Sequence, residues 1–334
     1  MENKQVRYCL YAHKDWVKQS YTLSPSLPSP IPYTALPPIM HSGLTNWAKV
    51  MKGWLHVPQN RNEYGMFDVI HVNMTTKNIG VIRKIRMHCD RAGIPIPKIV
   101  VNPDYAIQMW ESYEPFDLFL EDMQKADHIF TVHPSASSTL SALLGRKVWT
   151  IPHPTDVDRL RQTFPKGEGS QFGSPVIVVI GHIWDQNYLL TSHVVSRIRA
   201  ERPDVQTVLV GAIEKQGVWL KNTYDEFYPS MPFPDLMALV SKAAVVIDTA
   251  ATSSGGRIQV ECAALGTPCI GNTKNHMQMT LWEPLAVNIF DAGSLMVAIN
   301  GVLDGVHSDL AESIIDYSYS YSYEKFMEML NYEE

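Results

Sequence analysis

The chain has 334 residues, of which 45% are hydrophobic and 19% charged, and its formal net charge at pH 7 is -6. No apolar run approaches the roughly 18 residues of a transmembrane helix, which excludes a membrane-spanning enzyme. The four cysteines contain no C-x-x-C pair, which excludes a disulfide scaffold and predicts small buried hydrophobic side chains at Cys9, Cys89, Cys262 and Cys269. A chain of this length is expected to form two domains.

The first half of the sequence alternates short apolar runs with amphipathic segments, which is typical of an α/β domain. The amino terminus shows no secretory signal pattern, so we expect a cytoplasmic protein. The proline-rich interval 24–39 predicts an irregular ordered loop or a flexible lid. A helix is predicted over 80–92, with Arg83, Lys84, Arg86 and Arg91 on its outer face. The predicted strands are 6–11, 67–72, 98–101, 128–132 and 148–151.

The second half repeats the same alternation after a Gly-, Ser- and Pro-rich segment at 164–175, which predicts the domain boundary. Strands are predicted at 176–180, 207–211, 243–248 and 267–271, and helices near 188–201, 234–242 and 257–265. The predicted domains are 1–165 and 174–316, and an amphipathic helix within 317–334 packs back on the first. The fold class is α/β, with two doubly wound Rossmann-like domains facing a central cleft.

Charge is distributed unevenly along the chain. Residues 1–165 hold 18 Lys and Arg against 14 Asp and Glu, whereas the remainder holds 10 against 20. The basic half could receive an anionic acceptor, and the basic helix 80–92 could meet an acceptor or a membrane surface. An ordinary solvated helix face explains the same residues, and composition alone does not decide between these readings.

The densest candidate site follows the strand that ends at Asp248. Small residues lead from this strand into the predicted helix, so their backbone N–H groups lie at a helix N-terminus, where phosphate binds readily. Arg257 adds a fixed positive charge. The alternative is an ordinary helix start in which the glycines allow close packing. The small residues are Ser253, Ser254, Gly255 and Gly256.

The block SGGRIQVECAALGTPCIGN resembles the donor-binding signature of the group 1 retaining glycosyltransferases of the GT-B fold. Other blocks resemble this family in order and spacing, and together they cover roughly residues 65 to 330. They are FDVIHV (67–72), ADHIFTV (126–132), IPHPTD (151–156), the region 176–211 and YSYEKFMEML (321–330).

The resemblance implies a nucleotide-sugar site in the second domain. Glu261 would hold the nucleotide ribose, because a carboxylate accepts hydrogen bonds from both hydroxyls of a diol. Gly255 and Gly256 would bind the diphosphate, with Ser253, Ser254 and the strand glycine Gly181 beside them. Asp104 would orient sugar or acceptor, and His182 would contact phosphate.

Several positions depart from the family pattern. Ser253 stands where the family has its first glutamate, and His182 and Asn187 stand where it has an arginine and a lysine. The segment 11–15 replaces the usual double glycine. Arg257 can supply the missing positive charge, because its position relative to the phosphate is what matters electrostatically.

The resemblance therefore predicts transfer of a sugar from a UDP- or GDP-sugar to an acceptor hydroxyl, with retention and with neither metal nor other cofactor. The acceptor could be a glycan, a lipid-linked group or modified nucleic acid, without stable membrane insertion. A nucleotide-sugar epimerase and a binding protein that has lost catalysis remain as alternatives. The sequence leaves a homo-oligomer open.

Overall fold

The chain divides into two units in the computed structural model. The first unit comprises Met1–Thr155 and Tyr317–Glu334, and the second comprises Asp156–Asp316. The residues that the structure describes are 6–12, 30–36, 43–56, 61–75, 77–103, 115–166, 174–181, 188–211, 223–250, 256–306 and 318–332.

The strands of the described ranges are short, as is usual in α/β proteins. In chain order they are β1 (Tyr8–Tyr11), β2 (Ile31–Pro32), β3 (Trp54–His56), β4 (Val69–Met74), β5 (Lys98–Pro103), β6 (His128–Thr131), β7 (Trp149–Thr150), β8 (Val176–Ile180), β9 (Gln206–Val210), β10 (Glu226–Tyr228), β11 (Val245–Asp248), β12 (Cys269–Asn272) and β13 (Ala286–Val287).

The α-helices of the same ranges alternate with these strands. They are α1 (Gly43–Val50), α2 (Val81–Ala92), α3 (Phe116–Gln124), α4 (Pro134–Leu144), α5 (Val157–Thr163), α6 (Tyr188–Glu201), α7 (Phe233–Val240), α8 (Arg257–Leu265), α9 (His276–Leu281), α10 (Ala292–Leu303) and α11 (Tyr319–Leu330). Short 3-10 helices span Tyr33–Ala35, Arg61–Met66 and Glu283–Leu285.

The first unit is built on a sheet of order β2-β3-β1-β4-β5-β6-β7. The edge strand β2 runs antiparallel to β3, and the other pairs are parallel. All six residues of β4 are buried, as expected for a central parallel strand with both faces covered.

Alternation along β1 builds the two cores of this unit. Cys9 faces a core with α2 and α3, whereas Tyr8 and Leu10 face a core that contains Trp47 and Phe326. Phe326 belongs to α11, so the last helix of the chain completes the core of the first unit. It buries Phe326, Met329 and Leu330, as the spacing in the sequence predicts.

A buried polar chain crosses the second of these cores. The Tyr8 hydroxyl lies 2.5 Å from His71 Nδ1, and His71 Nε2 lies 2.7 Å from Asn102 Oδ1. Burial raises the pKa of Tyr8 well above its usual value, so the phenol in this chain stays protonated.

The second unit is built on a parallel sheet of order β10-β9-β8-β11-β12-β13. Counted along the chain this is the order 3-2-1-4-5-6 of a dinucleotide-binding sheet, in which the winding reverses between β8 and β11. The unit begins ahead of the 164–175 segment, because α5 packs on α8 and so belongs with the second sheet.

Most predicted elements of the second unit are confirmed. Helix α6 has the predicted bounds, β8 matches the predicted strand 176–180, and α8 matches the predicted helix 257–265. All five residues of β8 are buried, which explains why its apolar run predicts a strand with both faces covered. The strands β2, β3, β10 and β13 were not predicted.

Two expectations for the first unit change. Arg86 was predicted on the outer face of α2, but it is half-buried, since its Nη2 group pairs with Asp127 at 3.0 Å and its Nε–H donates to the Lys125 carbonyl at 2.9 Å. Of the proline-rich interval 24–39, the part at 30–36 forms β2 and a 3-10 turn, and the remainder lies outside the described residues.

Replacing Phe326 by alanine should destabilise the first unit. The ring is fully buried against Tyr8, Trp47, His71 and Phe130, with centroid distances of 5.0 to 6.0 Å. We expect F326A to lower the free energy of unfolding by about 3–5 kcal/mol, measured by urea denaturation. The exposed Glu324 on the same helix gives the control E324A, which should change stability by less than about 0.5 kcal/mol. Equal effects of the two variants would contradict the docking of α11.

Candidate functional site

The winding reversal places two strand ends of the second unit side by side. Ligands of doubly wound sheets bind outside the carboxyl ends of the strands at this point. Gly181 follows β8, and Asp248 ends β11. The Thr249 hydroxyl donates to the Ile180 carbonyl at 2.9 Å and ties the two strand ends together. The candidate site is therefore the carboxyl end of β8 and β11.

Backbone packing leaves no room for a side chain next to Gly181. A Cβ atom on Gly211, which follows the neighbouring strand β9, would lie 2.6 Å from the Gly181 carbonyl oxygen. The Gly181 N–H also donates to the Val210 carbonyl at 2.7 Å. The ends of strands β8 and β9 therefore approach closely at Gly181 and Gly211.

Helix α8 begins at Gly256, which adopts a left-handed conformation with φ of 73°. A Cβ atom at this position would overlap Asn275 Oδ1 and lie 2.6 Å from Met277 Cβ. Gly256 offers no side-chain cap, and the first turn of α8 holds no acidic residue. Its N–H groups and the helix dipole therefore favour an anion at this end.

Buried hydrogen bonds fix α8 to the sheet. Gln259 Nε2 donates to Asp248 Oδ2 at 2.7 Å, and the other carboxylate oxygen of Asp248 accepts from the Ala250 N–H at 3.1 Å. Trp282 Nε1 donates to the Gln259 carbonyl at 3.0 Å. All residues of α8 after Arg257 are buried, so the position of its first turn is set by the strand ends around it.

Glu261 is a buried carboxylate one helical turn after Arg257. Its side chain is 6% exposed, and Arg257 Nε donates to Oε1 at 2.7 Å. Burial raises the pKa of Glu261, and the charge and hydrogen bond of Arg257 oppose that rise. Arg257 also lies over the Phe233 ring, with 5.4 Å between its guanidinium carbon and the ring centroid.

The sequence predictions for this site are met by the structure to different extents. Glu261 and Arg257 lie together on α8, Gly256 begins the helix and Gly181 follows β8. These placements leave the predicted roles as predictions. The predicted positions that lie outside the described residues are Asp104, His182, Asn187, Ser253, Ser254 and Gly255.

Two contributors were missed from the sequence. Phe233 opens α7 after β10, and Asn275 caps α9 by accepting from the Gln278 N–H at 3.2 Å. The proline on each side of Phe233 is a helix-start signal, and the Asn275 position before an apolar helix is a capping signal. Neither signal reveals which residue of α8 the side chain contacts.

Three further properties bear on the function classes. All four cysteines are buried thiols that form no disulfide. In the ranges that the structure describes, no group of three or more His, Cys, Asp or Glu side chains is placed to hold a metal ion. No helix within those ranges is long and apolar enough to cross a membrane.

Comparison with known proteins gives structural matches only. No family model matches the sequence, and no curated protein matches it. A UDP-forming α,α-trehalose-phosphate synthase from Burkholderia xenovorans, in complex with glucose-6-phosphate, is similar with a TM-score of 0.62 and 13% identity, over 79% of this chain and 73% of that one.

Two other solved structures match over more of the chain. HepE from Anabaena, in complex with UDP and glucose, has a TM-score of 0.59 and 14% identity over 87% of this chain and 89% of its own. A sucrose-phosphate synthase from Thermosynechococcus elongatus has a TM-score of 0.56 and 16% identity over 98% and 95%. These likenesses show that the chain has the GT-B fold of glycosyltransferases, with two doubly wound α/β domains.

Replacing Gly256 by alanine should destabilise the second unit more than a left-handed backbone alone explains. Gly305 gives the matched control, because its φ is also positive, at 80°, and a Cβ there meets nothing within 4 Å. We expect G305A to cost about 1–2 kcal/mol, and G256A to cost more because it also displaces the Asn275 cap. Urea denaturation of both variants measures this difference, and equal losses would show that Gly256 is not packed against α9.

Proposed function

We propose that the chain is a glycosyltransferase that moves a hexosyl group from a nucleoside-diphosphate sugar to an acceptor hydroxyl. The observation that carries the proposal is the Arg257–Glu261 pair on α8, at the carboxyl end of a sheet with the 3-2-1-4-5-6 order. The fold shared with structures of sugar transferases supports it.

The donor is recognised at two points on α8. The N–H groups after Gly256 and the guanidinium of Arg257 bind the diphosphate, since both present positive charge at one helix end. The Glu261 carboxylate accepts hydrogen bonds from the ribose hydroxyls. The neighbour bound to UDP and glucose favours UDP as the nucleotide and a hexose as the transferred sugar.

Transfer requires stabilisation of the charge that develops on the departing diphosphate. Arg257 and the α8 dipole provide the opposing positive charge without a metal ion. A single well-placed donor of this kind is worth roughly 10²–10³-fold in rate. Transfer proceeds with retention, and the leaving phosphate takes the proton of the acceptor hydroxyl on the same face. Asp104 orients sugar or acceptor, and His182 contacts phosphate.

The first test of the proposal is release of nucleotide from a panel of donors. The full-length protein is incubated with UDP-glucose, UDP-galactose, GDP-mannose and ADP-glucose together with glycan, lipid-linked and DNA acceptors, and free nucleoside diphosphate is measured. We expect release from one donor class, with UDP-sugars favoured. Binding without release or isomerisation would contradict transfer and favour a binding protein, and isomerisation alone would favour an epimerase.

A second test separates the two recognition points on α8. R257A removes a charge near the diphosphate, so it should weaken the binding of UDP by about 10–100-fold and that of uridine by less than about 3-fold. E261A removes the ribose acceptor, so it should weaken the binding of uridine by about 10-fold or more, which R257A should not do. Calorimetric titration measures these affinities. An equal loss of UDP and uridine in R257A would indicate a packing role for Arg257.

A further inference from the structure

The Arg257–Glu261 pair joins two ligand-recognition groups that the proposed function treats separately. The hydrogen bond runs from Arg257 Nε to Glu261 Oε1, so it uses one N–H of the guanidinium and one oxygen of the carboxylate. Within the described ranges, no residue accepts a hydrogen bond from either Nη group of Arg257. The end of the guanidinium that best matches a phosphate is therefore uncommitted.

The surroundings hold Arg257 in this orientation. Its side chain is 29% exposed, which leaves the guanidinium accessible, whereas the Glu261 side chain is 6% exposed. The Phe233 ring supports the guanidinium from one side at 5.4 Å. An arginine that is held by its Nε and lies over an aromatic ring has lost rotamer freedom before any ligand binds, which lowers the cost of ordering it on binding.

We propose that Glu261 and Arg257 act as one recognition unit, in which Glu261 positions the Arg257 guanidinium for the terminal phosphate of the nucleoside diphosphate. This inference rests on the proposed function and deepens it. Glu261 has two tasks, because one carboxylate oxygen holds Arg257 while the other remains for the ribose. Recognition of the ribose and of the diphosphate is then coupled through one ion pair.

The coupling predicts an effect opposite in sign to simple electrostatics. A carboxylate close to a diphosphate repels it, so neutralising Glu261 should strengthen the contribution of the second phosphate if the two groups act independently. If Glu261 instead positions Arg257, the same change releases the guanidinium and weakens that contribution. The dissociation constant of UMP divided by that of UDP measures the contribution of the second phosphate alone, because both nucleotides make the same ribose contacts.

The experiment measures this ratio by calorimetry for the wild-type chain and for E261Q, R257K and the double variant. UMP and UDP are the first probes, replaced by the mono- and diphosphate of another base if donor release selects one. We expect E261Q to reduce the ratio by about 5-fold or more, and R257K to do the same because lysine lacks the guanidinium fork. The double variant should lose little more than either single variant, as expected for coupled residues.

Glu121 provides the matched control, since it forms an exposed i,i+4 pair with Lys125 in the first unit. E121Q should leave the ratio unchanged. An unchanged or larger ratio in E261Q, or an unchanged ratio in R257K, overturns the coupling. The proposed function still stands in that case if the wild type binds nucleotide and releases it from a donor. If the wild type binds no nucleotide of the panel, both the proposed function and the coupling fail. R257K retains the positive charge at a partly exposed position, so it is expected to fold and provides the test if E261Q does not fold.

Discussion

A buried carboxylate needs a counter-charge, and the pair formed by Glu261 and Arg257 meets that need within one turn of α8. Removing a charged group from water is costly, so a buried glutamate stays ionised only where it is paired or where it binds a ligand. Glu261 is paired on one oxygen, and α8 is buried along the rest of its length. The chemistry proposed for the chain depends on this interaction.

The second sheet determines where the pair lies. Its winding reverses between β8 and β11, and ligands of doubly wound sheets bind outside the carboxyl ends of the strands at such a point. The contact of Gln259 with Asp248 fixes the first turns of α8 to the end of β11, and Gly256 allows the close approach of α9. The second half of the sequence carries 10 basic against 20 acidic residues. Arg257 therefore places a positive charge in the first turn of α8 within a half of the sequence whose overall charge is negative.

The fold class could be predicted from the segments of the sequence that have a strong hydrophobic pattern. Apolar β-branched runs such as β8 predict buried parallel strands because both faces are covered, and helix α6 was predicted with its observed bounds. The strands β10 and β13 have three and two residues, and their identity depends on pairing with β9 and β12 rather than on any pattern of their own. Local pattern could not reveal such edge strands.

The candidate site was predictable in its residues but not in their contacts. Arg257 and Glu261 stand four positions apart in a predicted helix, so their proximity follows from helical geometry. The burial of Glu261, the position of Arg257 over the Phe233 ring and the packing of Gly256 against Asn275 depend on segments about 20 residues away, which no local pattern specifies. Those contacts bury the carboxylate of the ion pair and hold the guanidinium in one orientation.

The most direct measurement is a crystal structure of the protein with bound UDP. The account predicts the nucleotide at the carboxyl end of β8 and β11, with the β-phosphate about 3 Å from an Nη atom of Arg257 and a ribose hydroxyl at the same distance from Glu261. It also predicts that the Nε contact of Arg257 with Glu261 persists in the complex. A nucleotide bound away from α8, or a phosphate that leaves Arg257 uncontacted, would contradict it.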